Sequence, residues 1–106
     1  MKAEPKTGLS REARRKWREI QQEYNIVDGQ GILLLDTMFS AYDQITEAER
    51  ILELEGYVVE TETTGTKRAH PAAAILKEAR NSYLKALAML NLDVVETGPI
   101  GRPPGK

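Results

Sequence analysis

Four arginines carry the clearest chemical potential in this 106-residue chain. Arg11, Arg14, Arg15 and Arg18 recur at spacings that place them within one arc of a helix. Guanidinium groups pair bidentately with phosphate, so such an arc suits the backbone of a nucleic acid. Lys67 and Arg68 form a smaller basic pair further along, with Arg102 and Lys106 near the end of the chain as further cations. Carboxylates offer less. Asp43 and Glu47 sit one helical turn apart and together could reach a Mg²⁺ ion, but such sites need octahedral geometry and usually substrate phosphates. Arg50 is also placed to pair with Glu47 at i+3, so a solvated or subunit-contacting acidic face is the expectation. His70 is the only histidine and there is no cysteine, which removes a multi-histidine metal site and a Cys–His nucleophile pair. Gly29-Gln30-Gly31 lacks the further glycine and the Lys-Ser/Thr of a phosphate-binding loop. No catalytic site, metal or cofactor is expected.

Three helices must position these groups. Ser10 reads as an N-cap, and Leu9, Ala13, Trp17, Ile20 and Tyr24 then recur at spacings of three and four, forming a narrow apolar stripe. A first helix over about 11 to 24 follows, with the arginines opposite the stripe. Trp17 belongs to that stripe and is expected to anchor the core rather than to stack on bases. Residues 25 to 31 contain Asp28-Gly29-Gln30-Gly31, a cluster of breakers that predicts a loop. A helix-turn-helix does not fit, because this connection is long and the helix after it is acidic.

The second helix is expected from about Ile32 to Glu55, roughly 36 Å long at 1.5 Å per residue, with Gly56 ending it in a left-handed cap. Its apolar face holds Leu34, Leu35, Met38, Ala41, Tyr42, Ile45, Ala48 and Leu52, and its polar face Asp36, Asp43, Glu47 and Arg50. Tyr57 to Thr61 and Lys67-Arg68-Ala69, with a turn at Thr63 to Thr66, predict a β-hairpin that has to lean on helices or on a neighbouring subunit. His70 is expected to cap or pack at the start of the third helix. Pro71 suits its first turn, and it runs to about Leu90. Its inner face holds Ala72, Ile75, Leu76, Ala79, Tyr83, Ala86, Leu87 and Leu90, while Phe39 on the second helix and Leu84 and Met89 on the third are apolar outliers. The fold class is therefore mostly α: three main helices with a short β-hairpin between helix 2 and helix 3 and an extended C-terminal tail. Residues 1 to 8 read as a flexible arm, 9 to 92 as a helical core and oligomerisation domain, and 93 to 106 as a Pro/Gly-rich tail.

Composition narrows the class. With 41% hydrophobic and 29% charged residues the chain reads as one soluble domain, and no apolar run approaches the ~20 residues that span a bilayer. The charged amino terminus lacks the apolar centre of a secretory signal, so export is not indicated. The net charge of -1 conceals segregation. Residues 1 to 18 hold seven cationic side chains against two carboxylates, whereas residues 36 to 62 hold eight carboxylates against Arg50 alone. Fields arranged this way attract an anionic polymer at one end and a basic surface elsewhere. The apolar outliers and the hairpin without a sheet indicate more apolar surface than one small core consumes, and self-association is the economical outlet.

The order of these features resembles one known family. Leu9 and Trp17 in helix 1, Asp36, Ala41-Tyr42, Glu47-Ala48-Glu49 and Leu52 in helix 2, then Gly56, Val58, Val59, Gly65 and His70-Pro71-Ala72 resemble the small terminase subunits of tailed bacteriophages over roughly residues 9 to 92. The resemblance implies a non-enzymatic protein that forms a ring-like homo-oligomer in the cytoplasm of an infected bacterium. It implies double-stranded viral DNA as one partner, bound to start genome packaging, and a terminase large subunit, whose ATPase and nuclease it regulates, as the other. The tail departs from the family's frequent Ser/Arg-rich segment, with Val94-Val95-Glu96-Thr97-Gly98-Pro99 leading into Gly101-Arg102-Pro103-Pro104-Gly105-Lys106. A small dimeric helical adaptor or DNA-binding transcriptional regulator is the alternative, and a metal-dependent nuclease built on Asp43 and Glu47 is a third possibility.

Overall fold

The computed structural model describes residues 3–60 and 65–92. Helix α1 spans Arg11–Glu23, α2 Gly29–Glu55 and α3 Pro71–Leu90, with strands β1 (Val58–Glu60) and β2 (Lys67–Ala69) between α2 and α3. The strands pair antiparallel with Val58 opposite Ala69, Val59 opposite Arg68 and Glu60 opposite Lys67. This is the three-helix arrangement with an interposed hairpin that the sequence predicts. The expected tail and half of the expected turn lie outside the described residues.

Local chemistry sets each boundary. Ser10 is extended and its Oγ accepts from Ala13 N at 3.0 Å, satisfying one of the donors that every helix start leaves open. The left-handed residue Asn91 closes α3. Helix α2 begins three residues earlier than expected. Asp28 caps it by accepting from Gly31 N at 2.9 Å, so the glycines read as loop breakers form its first turn. Gly31 is buried there, and a Cβ on it would lie 2.6 Å from Ile26 Cγ2, so close packing fixes its identity. Gly56 does end α2, giving its N–H to Leu52 O at 2.7 Å, but not in the expected left-handed cap. With φ 85° and ψ 157° it occupies a region open essentially to glycine alone, and the chain leaves the helix directly in an extended direction.

The 27 residues of α2 extend for ~40 Å and carry two partners. Helix α3 runs antiparallel along it, and α1 packs across its N-terminal half together with the last turns of α3. The buried side chains accordingly form two clusters. Leu9, Ala13, Trp17, Ile26, Leu35, Met38, Phe39 and Ala86 make the larger one, and Ala48, Leu52, Ala72 and Leu76 the smaller. Phe39, expected as an outlier, is 1% exposed because it faces α1 rather than α3, with its ring edge-on to Tyr42 at 5.9 Å. Ile75, expected inside, is 52% exposed on the flank of α3. Leu84 and Met89 are exposed as expected. Of the six strand residues only Val59 is half-buried, so the hairpin gains little from the helices.

Candidate nucleic-acid interface

Trp17 at 0% exposure and Ala13 at 0% sink the apolar stripe of α1 into the larger cluster. That docking turns the arginine arc outward. Arg11, Arg15 and Arg18 are exposed and Arg14 is half-buried. Over seven residues the arc covers ~10 Å of helix axis.

The four guanidinium groups differ in what holds them. Arg14 Nη1 donates to Leu9 O at 2.7 Å, tying the first turn of α1 to the segment before it. Arg15 pairs with Glu19 at 3.2 Å and Arg18 with Glu4 at 3.1 Å, all four side chains being roughly half exposed. Pairs so open to solvent contribute ~0–1 kcal/mol, so an arriving phosphate displaces them at little cost. Arg11 has no ion pair or hydrogen bond among the described residues. Three of the four are therefore loosely held at the surface, whereas Arg14 is half-buried and tied to Leu9 O.

What docks α1 is a pair of contacts between residues far apart in the chain. Asp43 reaches across from α2, where Oδ2 accepts from Ser10 N at 2.8 Å and Oδ1 from Ser10 Oγ at 2.6 Å. Two turns earlier, Asp36 Oδ1 accepts from Trp17 Nε1 at 3.0 Å and from Lys6 N at 3.1 Å. Helix α1 and the residues before it are thus pinned by two carboxylates that α2 presents. Both span 19 or more residues in sequence, and no local pattern signals them. On the far flank of α1, Lys16 Nζ lies 6.0 Å from the centre of the Tyr42 ring. The Tyr42 hydroxyl titrates above its ordinary range, chiefly because burial disfavours the phenolate and next because Glu12 accepts its hydrogen bond.

The carboxylates of the Mg²⁺ alternative have protein partners. Both oxygens of Asp43 are taken by Ser10, and both of Glu47 by Arg50, at 3.2 and 2.7 Å. The Arg50 hydrogen bond holds the Glu47 carboxyl below the usual carboxylate range. No group of three metal-ligating side chains converges among the described residues. His70 caps α3, its Nδ1 accepting from Ala72 N at 2.9 Å while Nε2 lies 2.7 Å from Glu55 Oε1.

Lys67 and Arg68 are exposed on β2 with no ion pair among the described residues. They are not brought to the arginine arc. From Asp43, where α1 docks, α2 runs ~18 Å further before the hairpin begins. The expected basic residues therefore form two separate patches, one at each end of the α2–α3 pair.

No helix among the described residues is long and apolar enough to cross a membrane. A family model described as phage terminase, small subunit, matches residues 11–103. No curated protein and no solved structure matches the chain.

Proposed function

The chain belongs to the phage terminase small-subunit family, and from that premise we propose that it binds double-stranded viral DNA to initiate genome packaging. Members of this family are generally non-catalytic. In this reading the protein acts in the cytoplasm of the infected bacterium as a ring-like homo-oligomer and regulates a separate large subunit that carries the ATPase and nuclease. Helix α1 supplies the phosphate contacts through Arg11, Arg15 and Arg18. The observation that carries this assignment is the outward arc itself, three guanidinium groups along ~10 Å, one with no ion pair among the described residues and two held only by solvent-exposed pairs. Arg14 keeps the helix start in place. Lys67 and Arg68 add a second contact when DNA reaches the hairpin end.

Backbone contacts release condensed counterions, so log K falls with log salt at a slope near -0.9 per phosphate neutralised. Replacing Arg11, Arg15 and Arg18 by alanine flattens that slope by about 2.7 per subunit engaged, equally on cognate and unrelated duplexes. Fluorescence anisotropy across a salt series measures it. A variant that keeps its helicity, its assembly and its full slope removes α1 as the DNA face and transfers the role to Lys67 and Arg68.

A further inference from the structure

The seam between α2 and α3 is open on one side. There it forms a long groove, made of two adjoining clefts that share Gln44 and Ser82. Its middle is floored by small side chains, Ser40, Ala48, Ala79 and Ser82, which leave room for a helix to approach closely. Its ends are apolar. Leu33 of α2 stands at one end and Ile75 of α3 at the other, each more than half exposed. From Leu33 to Ile51 the groove follows α2 for ~27 Å. Exposed apolar groups aligned along a concave surface mark an interaction site.

The rim decides what enters. Asp43, Glu47 and Glu78 line the groove midway, and Arg50 neutralises only Glu47. A second groove laid against the first by a two-fold axis would bring these carboxylates together in a drying interface, an arrangement costing several kcal/mol. An isologous dimer through this face is thereby disfavoured. The complementary surface lies on the same molecule. Leu84, also more than half exposed, stands on α3 one and two turns from Arg80 and Lys77. At ~100° per residue that patch is turned roughly 150° away from Glu78 and Ser82. The ion pair of Arg80 with Glu49 at 3.0 Å places it along the opposite edge of the seam.

We propose that the α2–α3 groove receives the outer face of α3 from a second copy of this chain, with Leu84 seated over the small-residue floor and Lys77, with Arg80 exchanging its exposed Glu49 partner, against Asp43 and Glu78. Because the two surfaces are different and lie on different sides of one helix, the contact is head-to-tail. Each copy keeps a groove and a knob, and repetition continues until the ring closes. This rests on the assembly in the proposed function and assigns its interface.

Two variants with single faults test it. Leu84→Glu spoils the knob and leaves the groove, whereas Ile75→Lys with Glu78→Lys spoils the groove and leaves the knob. All three residues are solvent-exposed, so circular dichroism is expected to match the wild type. By native mass spectrometry the wild type gives a closed oligomer and each variant a monomer. An equimolar mixture gives a 1:1 dimer and nothing larger, because one good knob meets one good groove and the remaining surfaces are both spoiled. Variants that still form the full oligomer, homodimers of either variant, or a mixture that stays monomeric overturn the inference and leave the assembly itself standing. A wild type that is monomeric at micromolar concentration overturns both.

Discussion

Four of the five largest side chains that exclude water almost completely, Trp17, Phe39, Leu35 and Met38, sit where α1 covers the α2–α3 pair; Leu52 alone is at the hairpin end. There the buried set is Ala48, Leu52, Ala72 and Leu76, and the strands beyond it are exposed. The helix pair is therefore buried under bulky side chains and α1 at one end and closed by two leucines and two alanines at the other. A third element on top gives large residues something to fill. Without one, small residues let the backbones close up, and the flank of the pair stays open as a groove. Thickness at one end and an exposed surface at the other follow from one choice, where α1 docks.

The strongest way to break this contrast is to empty the thick end. Trp17→Ala is expected to destabilise by ~3–5 kcal/mol, and Leu76→Ala at the thin end by ~2–3 kcal/mol, since the smaller side chain in the smaller cluster leaves the smaller void. Urea unfolding measures both, and equal losses would mean that the two clusters are equally well packed. Next is the helix stop. Gly56→Val forces a β-branched residue into a glycine-only conformation and is expected to cost ~1–3 kcal/mol. It acts at the thin end, so hydrogen exchange should rise first in the amides around Gly56 and the start of α3. Unchanged melting would show that α2 does not end in that conformation. The smallest effect sharpens the contrast at the thick end through pH. Burial and Glu12 raise the Tyr42 hydroxyl above its ordinary value of 10.0, so its folded form holds the proton more tightly than the unfolded chain does. The associated stability is present below pH 10 and lost as pH rises through the folded value. Tyr42→Phe should flatten the alkaline fall in melting temperature by comparison with wild type.

Much of this was legible in the sequence because it is local. Ser10 as a cap, Trp17 within a stripe, Gly56 as a stop and Pro71 in a first turn are all decided by residues a few positions apart. The misreadings come from long-range packing. A single apolar arc on α2 implies one partner and leaves Phe39 outside; α2 has two, and Phe39 faces α1. Gly29 and Gly31 were read as breakers, but the Asp28 cap and the contact with Ile26 make a helical first turn of them. Asp36 and Asp43 read as a polar face because their partners, Trp17 and Ser10, are 19 and 33 residues away. The arginine arc was readable, yet the division of labour within it was not, since the acceptor for Arg14 is a backbone carbonyl that only the fold delivers.

The bond between His70 and Glu55 bears on how much the hairpin is free to change. With Nδ1 occupied by Ala72 N, the ring proton resides on Nε2 and is shared with Glu55 Oε1, while Tyr57 O accepts from His70 N at 2.8 Å. The chain is clasped where it leaves α2 and where it re-enters α3, so the residues between belong to a closed loop whose ends are already fixed. Lengthening such a loop costs little, ~0.6 kcal/mol for each doubling. The hairpin is in this sense a replaceable cassette. It can be lengthened, recharged or exchanged to suit whatever it meets while the helices keep their register.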